Sequence, residues 1–473
     1  MQDGYFESKE FKDLLGKYET MLAGGANVLL DSEELTDIAE YYHWNGRTPE
    51  AISTADYALS MYEGASAPLV LKARIALLSE NNPAKAEQLA EEIADKTNLD
   101  YFYIKAEILV ATSRGNEADI YLETCQEQVD DNDYPDFVLD AAILFIDYEY
   151  TELAAKWLAK SDEPDLADYR EVQGRIDYYN GEYEESEKIF NDLIDESPYS
   201  TYYWDMLAST QLAMSHFSDA ITSSEYALAI SPDDEDALLY KGQALMRLKN
   251  YEGAIEYLDH HAQVRPSNID GLLNSAFCHI HLDHYQEGIT HLKNAEARAK
   301  KYAPDRLTEI YQEEAFTYSH NGEPALALEC LNKMEERKDC DPNECMVLRG
   351  HIHLENGQQE EAQKCYQTAV VNSMFSPSIM LRVAVSLYDN EYVEVAYNIL
   401  SSMEAKDLDG LPQSYSYMAI CAHDMGDREK FLEHLKEATT KSPTAARAVL
   451  STLFPEEMDP ASYYDYALND KQD

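Results

Sequence analysis

Six histidines crowd one short stretch of the chain: His260, His261, His279, His281, His284 and His291, with Cys278 and Asp283 among them. Imidazole, thiolate and carboxylate are the usual ligands of zinc, and His281 and His284, three residues apart, could share one helix face and begin such a site. Downstream lie Cys330, Cys340, Cys345 and Cys365, but the chain holds no CxxC pair, and Cys340 and Cys345 lack metal-ligand spacing. GxGxxG, GxxxxGK[ST], HExxH and GxSxG are all missing from the sequence. Neither a phosphate cradle, a zinc-protease helix nor a nucleophile elbow is encoded.

A strict period positions these residues. Gly174, Ala208, Gly242 and Ala276 recur every 34 residues, as do Tyr183, Phe217, Tyr251 and Tyr285, and Pro198, Pro232 and Pro266. Small residues suit points where two helices cross closely, with larger neighbours filling the gaps. A proline just past a helix cannot continue it and resets the chain. After the connector Ala299–Pro304 the period becomes 35, as from Ala315 to Gly350, Ala327 to Ala362 and Cys330 to Cys365. β-Branched residues alternate nowhere at length, which excludes strands. The period is too short for HEAT or armadillo repeats, which need roughly 40–47 residues. The same register accounts for the reactive residues. His279 falls in the slot held by Tyr318 and His353, where a planar ring packs between helices without metal. Cys330 and Cys365 share a slot suited to small buried hydrophobes. Tyr183, Tyr251 and Tyr285 are expected in the core.

The spacing and residue types resemble the tetratricopeptide repeat, in particular a bacterial multi-repeat member of that family. The resemblance implies an all-α fold, a right-handed α-solenoid of about twelve helix–turn–helix repeats with N- and C-terminal capping helices. Residues 1–34 then form the N-terminal capping region, with Phe11, Leu14, Leu15, Tyr18 and Leu22 at helical spacing. Residues 35–300 carry repeats 1–8 and 301–441 carry repeats 9–12. Residues 442–473 hold a capping helix and an acidic, tyrosine-rich tail from Pro455 that is expected to fray. The segment 201–232 matches the pattern best, through Trp204, Leu207, Ala208, Ala220, Ala227 and Pro232. The units at 100–128 and 135–162 lack the closing proline, and their turns read as irregular.

Charge narrows the partners. The chain has 37 Lys and Arg against 90 Asp and Glu, a net charge of −53. Nucleic-acid binding needs cations to neutralise phosphates, so direct contact with nucleic acid is excluded, as is docking on anionic membranes. Neutral or basic proteins are favoured. Seven cysteines, an odd number without a paired spacing, indicate a reducing compartment. No run approaches 18 apolar residues, and the N-terminus MQDGYFESKEFKDLL has no apolar core, so the protein is expected in the cytoplasm.

The resemblance implies a non-catalytic scaffold or adaptor without cofactor or metal, binding a peptide or helix of its partner on the concave surface. That surface is lined by the first helix of each repeat. Carried onto this sequence it gives Asp168, Glu171, Arg175 and Tyr179, then Tyr202, Asp205 and Ser209, then Asp236, Gln243 and Arg247. The family's clamp for a C-terminal carboxylate pairs Lys with Asn four residues on, and no Lys or Arg here is followed that way. A basic or amphipathic segment is expected instead. Two other readings stand beside it: an acidic protein that sequesters or mimics for a basic nucleic-acid-binding partner, and a metal-dependent activity at the His260–His291 cluster.

Overall fold

The structure, a computed structural model, describes residues 5–6, 8–25, 28–403, 408, 410–455 and 458–469. Among these residues every regular element is helical. They form two compact units, 1–230 and 231–473, each an α-solenoid of stacked helical hairpins.

The first unit opens with α1 (Lys9–Leu22) and continues through six hairpins. These are α2/α3 (Ser32–Trp44, Thr48–Met61), α4/α5 (Ser66–Arg74, Pro83–Glu91) and α6/α7 (Leu99–Ala111, Gly115–Cys125). They are followed by α8/α9 (Tyr134–Asp147, Thr151–Leu158), α10/α11 (Ala167–Asn180, Tyr183–Glu196) and α12/α13 (Thr201–Ala213, Phe217–Ile230). Helix α1 sinks Phe11 and Tyr18 into the core of the first hairpin, and the Tyr18 hydroxyl donates to Thr54 Oγ1 at 3.2 Å.

The second unit also has six hairpins. They are α14/α15 (Glu235–Arg247, Tyr251–Val264), α16/α17 (Asp270–His281, Tyr285–Tyr302) and α18/α19 (Leu307–His320, Pro324–Glu335). Then come α20/α21 (Pro342–Glu355, Gln359–Asn372), α22/α23 (Pro377–Asp389, Val393–Ser401) and α24/α25 (Gln413–Asp424, Arg428–Lys441). The connector after Ala299 is taken up by α17, whose 18 residues make it longer than every other helix among the described residues, and by a 3₁₀ turn at Pro304–Arg306. Helices α26 (Pro443–Leu450) and α27 (Tyr463–Asn469) close the unit. The tail therefore does not fray where it is described: Tyr463 is buried and stacks on Phe454 at 3.9 Å, because its ring covers apolar surface at the end of the array. Residues 456–457 and 470–473 of that tail lie outside the described residues.

Every hairpin turns through one left-handed residue. In the first unit these are Gly46, Asn81, Ser113, Glu149, Gly181 and Ser215; in the second, Lys249, Asp283, Gly322, Gly357, Glu391 and Gly426. The turns at Ser113 and Glu149, irregular in sequence, thus have the same backbone as the rest. Two amides of the turn bond back to the first helix, as Gly181 N–H to Tyr178 O and Glu182 N–H to Asp177 O, which satisfies its last carbonyls. Acidic residues at repeat junctions cap the next helix: Asp234 accepts from Ala237 N–H, and Asp341 from Asn343 N–H.

The small residues do mark the close crossings. A Cβ on Gly174 would stand 3.0 Å from the Phe190 ring and one on Gly242 would stand 2.6 Å from Leu258, while one on Gly350 would strike the Tyr366 ring. The large partner comes from the middle of the second helix. Tyr183, Tyr251 and Tyr285, expected in the core, are instead half-buried. Each is the first residue of its second helix, where the ring lies along the edge of the hairpin.

Candidate partner-binding face

The first helix of each hairpin turns one stripe away from its second helix, and the residue after the small crossing residue sits on that stripe. In the first unit this residue is Glu40, Arg74, Glu107, Ile143, Arg175 and Ser209 in turn. Neighbouring repeats are joined across it. Arg74 Nε donates to Glu107 Oε2 at 2.8 Å, and the Tyr148 hydroxyl donates to Glu107 Oε1 at 3.4 Å. Arg175 donates to Asp147 Oδ1 at 2.6 Å.

Five of the expected residues come together here. Arg175 lies beside Tyr179 and Tyr202, which are 42% and 38% exposed. Glu171 is half-buried beside Arg175. Ser209 donates to the Tyr178 hydroxyl at 3.0 Å. Asp205 is placed differently, buried at 6% exposure and turned into the packing. Gln243, half-buried, and Arg247, exposed, lie on α14 in the second unit.

In the second unit the stripe reads Gln243, Phe277, Phe316, His351, Val385 and Ile420. Phe316 meets His351 edge-on at 5.3 Å, and Phe277, 43% exposed, packs against His281 at 4.1 Å. His351 Nδ1 pairs with Ser386 Oγ at 2.9 Å. Burial pulls the His351 pKa below its ordinary value, against the opposing charges of Glu355 and Asp389.

A set of carboxylates shares an unusual environment. In the first unit, lost hydration pushes Glu40, Asp140 and Glu171 above the ordinary range; Asp37 adds to the shift at Glu40, and Arg74 and Arg175 only partly offset it at Glu40 and Glu171. In the second, the same cause raises Asp236 to about 6, with Glu235 and Asp234 adding to it, and also raises Glu313 and Asp389. Yet Asp140, Asp236, Glu313 and Asp389 are exposed. Glu40, Asp140, Glu313 and Asp389 escaped the sequence reading, although the register marks them. Glu40 follows Ala39 as Arg175 follows Gly174, and Asp389 lies five residues past Ala384 as Tyr179 does past Gly174.

The histidine cluster is spread over several packing contacts. His291 Nε2 pairs with Asp259 Oδ1 at 3.0 Å, which also accepts from Ser275 Oγ at 2.7 Å, and this pairing holds the His291 pKa above its ordinary value. His279 packs against His291 at 4.9 Å, with its pKa lowered by burial and then by the charge of His291. His281 stacks on Tyr251 at 5.0 Å, and His260 faces Asp233. Among the described residues no three His, Cys, Asp or Glu side chains converge to hold a metal ion. Cys330, buried, donates to Glu314 Oε2 at 3.4 Å. Nor is any described helix long and apolar enough to cross a membrane.

Residues 213–295 match the family described as anaphase-promoting complex, cyclosome, subunit 3, and residues 344–370 match the tetratricopeptide repeat. The chain carries tetratricopeptide repeats. Repeats of this family in general build protein–protein interaction scaffolds. No curated protein matches this tetratricopeptide-repeat chain. Among solved structures it is similar to MamA 41-end from Desulfovibrio magneticus RS-1, at 16% identity and a TM-score of 0.34, over 37% of this chain and 98% of that one. A crystal structure of MamA is similar at 20% identity and a TM-score of 0.31, over 36% and 95%. The APC/C hetero-tetramer Cut9–Hcn1 is similar at 13% identity and a TM-score of 0.33, over 96% and 95%.

Proposed function

We propose that this tetratricopeptide-repeat protein is a non-catalytic scaffold or adaptor. It binds a peptide or helix of a neutral-to-basic protein partner on the stripe formed by its first helices. The observation that carries this reading is the placement of carboxylates along the first helices, Glu40, Asp140 and Glu171 in one unit and Asp236, Glu313 and Asp389 in the other, each with its pKa raised by lost hydration. Each is costly to hold ionised, and a Lys or Arg brought beside it by a partner relieves that cost. The net charge of −53 steers such a partner in from a distance. All seven cysteines are free, which suits a reducing compartment, the cytoplasm.

A second reading, an acidic protein that sequesters a basic nucleic-acid-binding partner, draws on residues 189–240, which hold ten Asp and Glu and no Lys or Arg. Affinity purification of the full chain from its native cells, beside a Glu40→Gln, Asp140→Asn, Glu171→Gln variant, tests both readings. The scaffold reading expects a defined protein that survives moderate salt and is lost from the variant. Capture that vanishes once salt shortens the Debye length well below about 8 Å, whatever the variant, favours sequestration. Retention of the same protein by the variant at every salt concentration contradicts the assignment of the face.

A further inference from the structure

The hairpin α12/α13 carries an aromatic surface that its own packing does not require. Trp204 on α12 stacks on Tyr226 of α13, with ring centres 4.5 Å apart and planes inclined by 20°. The indole Nε1 donates to Pro198 O at 3.0 Å, which holds Trp204 against the connector that carries Tyr199. Tyr199 is 84% exposed and Tyr226 53%, and Ile230 is exposed one turn beyond Tyr226. Trp204 follows Tyr202 by two residues, about 200° round the helix, so this ledge looks away from the first-helix stripe. Only Trp204 belongs to the repeat pattern. One repeat earlier, the slots of Tyr199, Tyr226 and Ile230 hold Asp165, Asp192 and Glu196, all exposed. There the slot of Trp204 holds Arg170, whose two terminal nitrogens donate to Glu196 at 2.8 and 2.7 Å. A contiguous apolar ledge at slots that otherwise face water marks a contact surface.

Charge selects the occupant. Residues 189–230 hold six Asp and Glu and no Lys or Arg. Elsewhere in this unit ring faces take cations: Lys160 Nζ lies 3.5 Å from the Trp157 ring centre, and the Arg47 guanidinium 4.3 Å from that of Tyr42. The ledge has the rings and the negative surroundings, while its own stretch supplies no cation. We propose that Tyr199, Trp204, Tyr226 and Ile230 form a second docking surface, separate from the stripe, for an amphipathic basic helix of a protein partner. Its Arg or Lys side chains lie on the ring faces, and its apolar side chains cover Ile230. Both kinds of contact are needed, so a segment that is rich in Lys and Arg but lacks apolar residues is not held here.

The ledge is isolated in a full chain whose stripe carboxylates Glu40, Asp140, Glu171, Asp236, Glu313 and Asp389 are changed to the amides. The probe is a labelled amphipathic helical peptide of Leu and Arg, followed by fluorescence anisotropy. The expected result is binding that weakens about tenfold or more when Tyr199→Ala and Tyr226→Ala are added, both at exposed positions that leave the fold intact. Tyr226→Phe alone keeps the ring and should stay within about twofold. The same peptide with citrulline for Arg, alike in shape but uncharged, should bind as weakly as the double alanine variant allows. Affinity unchanged by the two alanines would overturn the proposal, whatever becomes of the stripe. Equal binding of the citrulline peptide would overturn it too, by showing a purely apolar contact. So would self-association of the full chain that the two alanines abolish, which would assign the ledge to a second copy.

Discussion

The two units share a backbone register and fill it with different chemistry. On the stripe after the small residue the first unit places Glu40, Arg74, Glu107 and Arg175; the second places Phe277, Phe316, His351 and Val385. Residues 1–230 hold 15 Lys and Arg against 48 Asp and Glu, a net charge of −33, whereas residues 231–473 hold 22 against 42, a net charge of −20. The first unit's face is knit by ion pairs between repeats, and the second unit's by ring edges. Helix packing fixes the small residues and leaves this stripe free to vary. That is how one fold can carry two surfaces.

Breaking an ion pair should do most to separate them. Arg74→Met strands Glu107, whose side chain is 9% exposed, beside Glu40, and should destabilise the first unit by about 2–3 kcal/mol in urea denaturation. Phe316→Ala, at the matching position of the second unit, removes a half-buried ring and should destabilise by about 1–2 kcal/mol. If the two effects come out equal, or the reverse, ion pairs are not what distinguishes the units. Gly350→Ala tests the packing beneath the stripe. Alanine favours a helix, but its Cβ collides with the Tyr366 ring, whose hydroxyl is bonded to Ser386 Oγ at 2.7 Å. The collision should win, at a net cost of about 1–2 kcal/mol that stays within neighbouring repeats.

Acid should act on the second stripe through His351. Because its folded pKa is lowered, the native state binds fewer protons there than the unfolded chain. Its contribution is present above the unfolded value of about 6.5 and is lost as pH falls below it. Amide exchange in α20 and α22 should quicken below that pH, and His351→Gln should remove the change. The smallest effect probes what the units share. Ser215→Gly and Lys249→Gly relieve left-handed residues at equivalent turns and should each stabilise by about 0.5–1 kcal/mol. Unequal gains would mean that the turns differ.

The hairpins were legible in the sequence because close helix crossings admit only small residues, so Gly174, Gly242 and Gly350 print the period directly. The turns at Ser113 and Glu149 were not, since a left-handed backbone can be imposed on any residue by the bonds around it. The division at Ile230 falls inside the most regular run, where sequence register alone shows no break. At the candidate face, Glu171, Arg175, Tyr179 and Tyr202 could be named from register, whereas Asp205 is buried because its neighbours in three dimensions are not its neighbours in the period.

The central claim is that the under-hydrated carboxylates read a cationic partner. An array of peptides that differ only in net charge, probed with the full chain, tests it most directly. The account predicts that peptides rich in Lys and Arg are bound. It also predicts that their signal collapses when Glu40, Asp140, Glu171, Asp236, Glu313 and Asp389 are changed together to the neutral amides, with helicity unchanged. Equal binding of acidic and basic peptides, or a signal that survives the six substitutions, would contradict it.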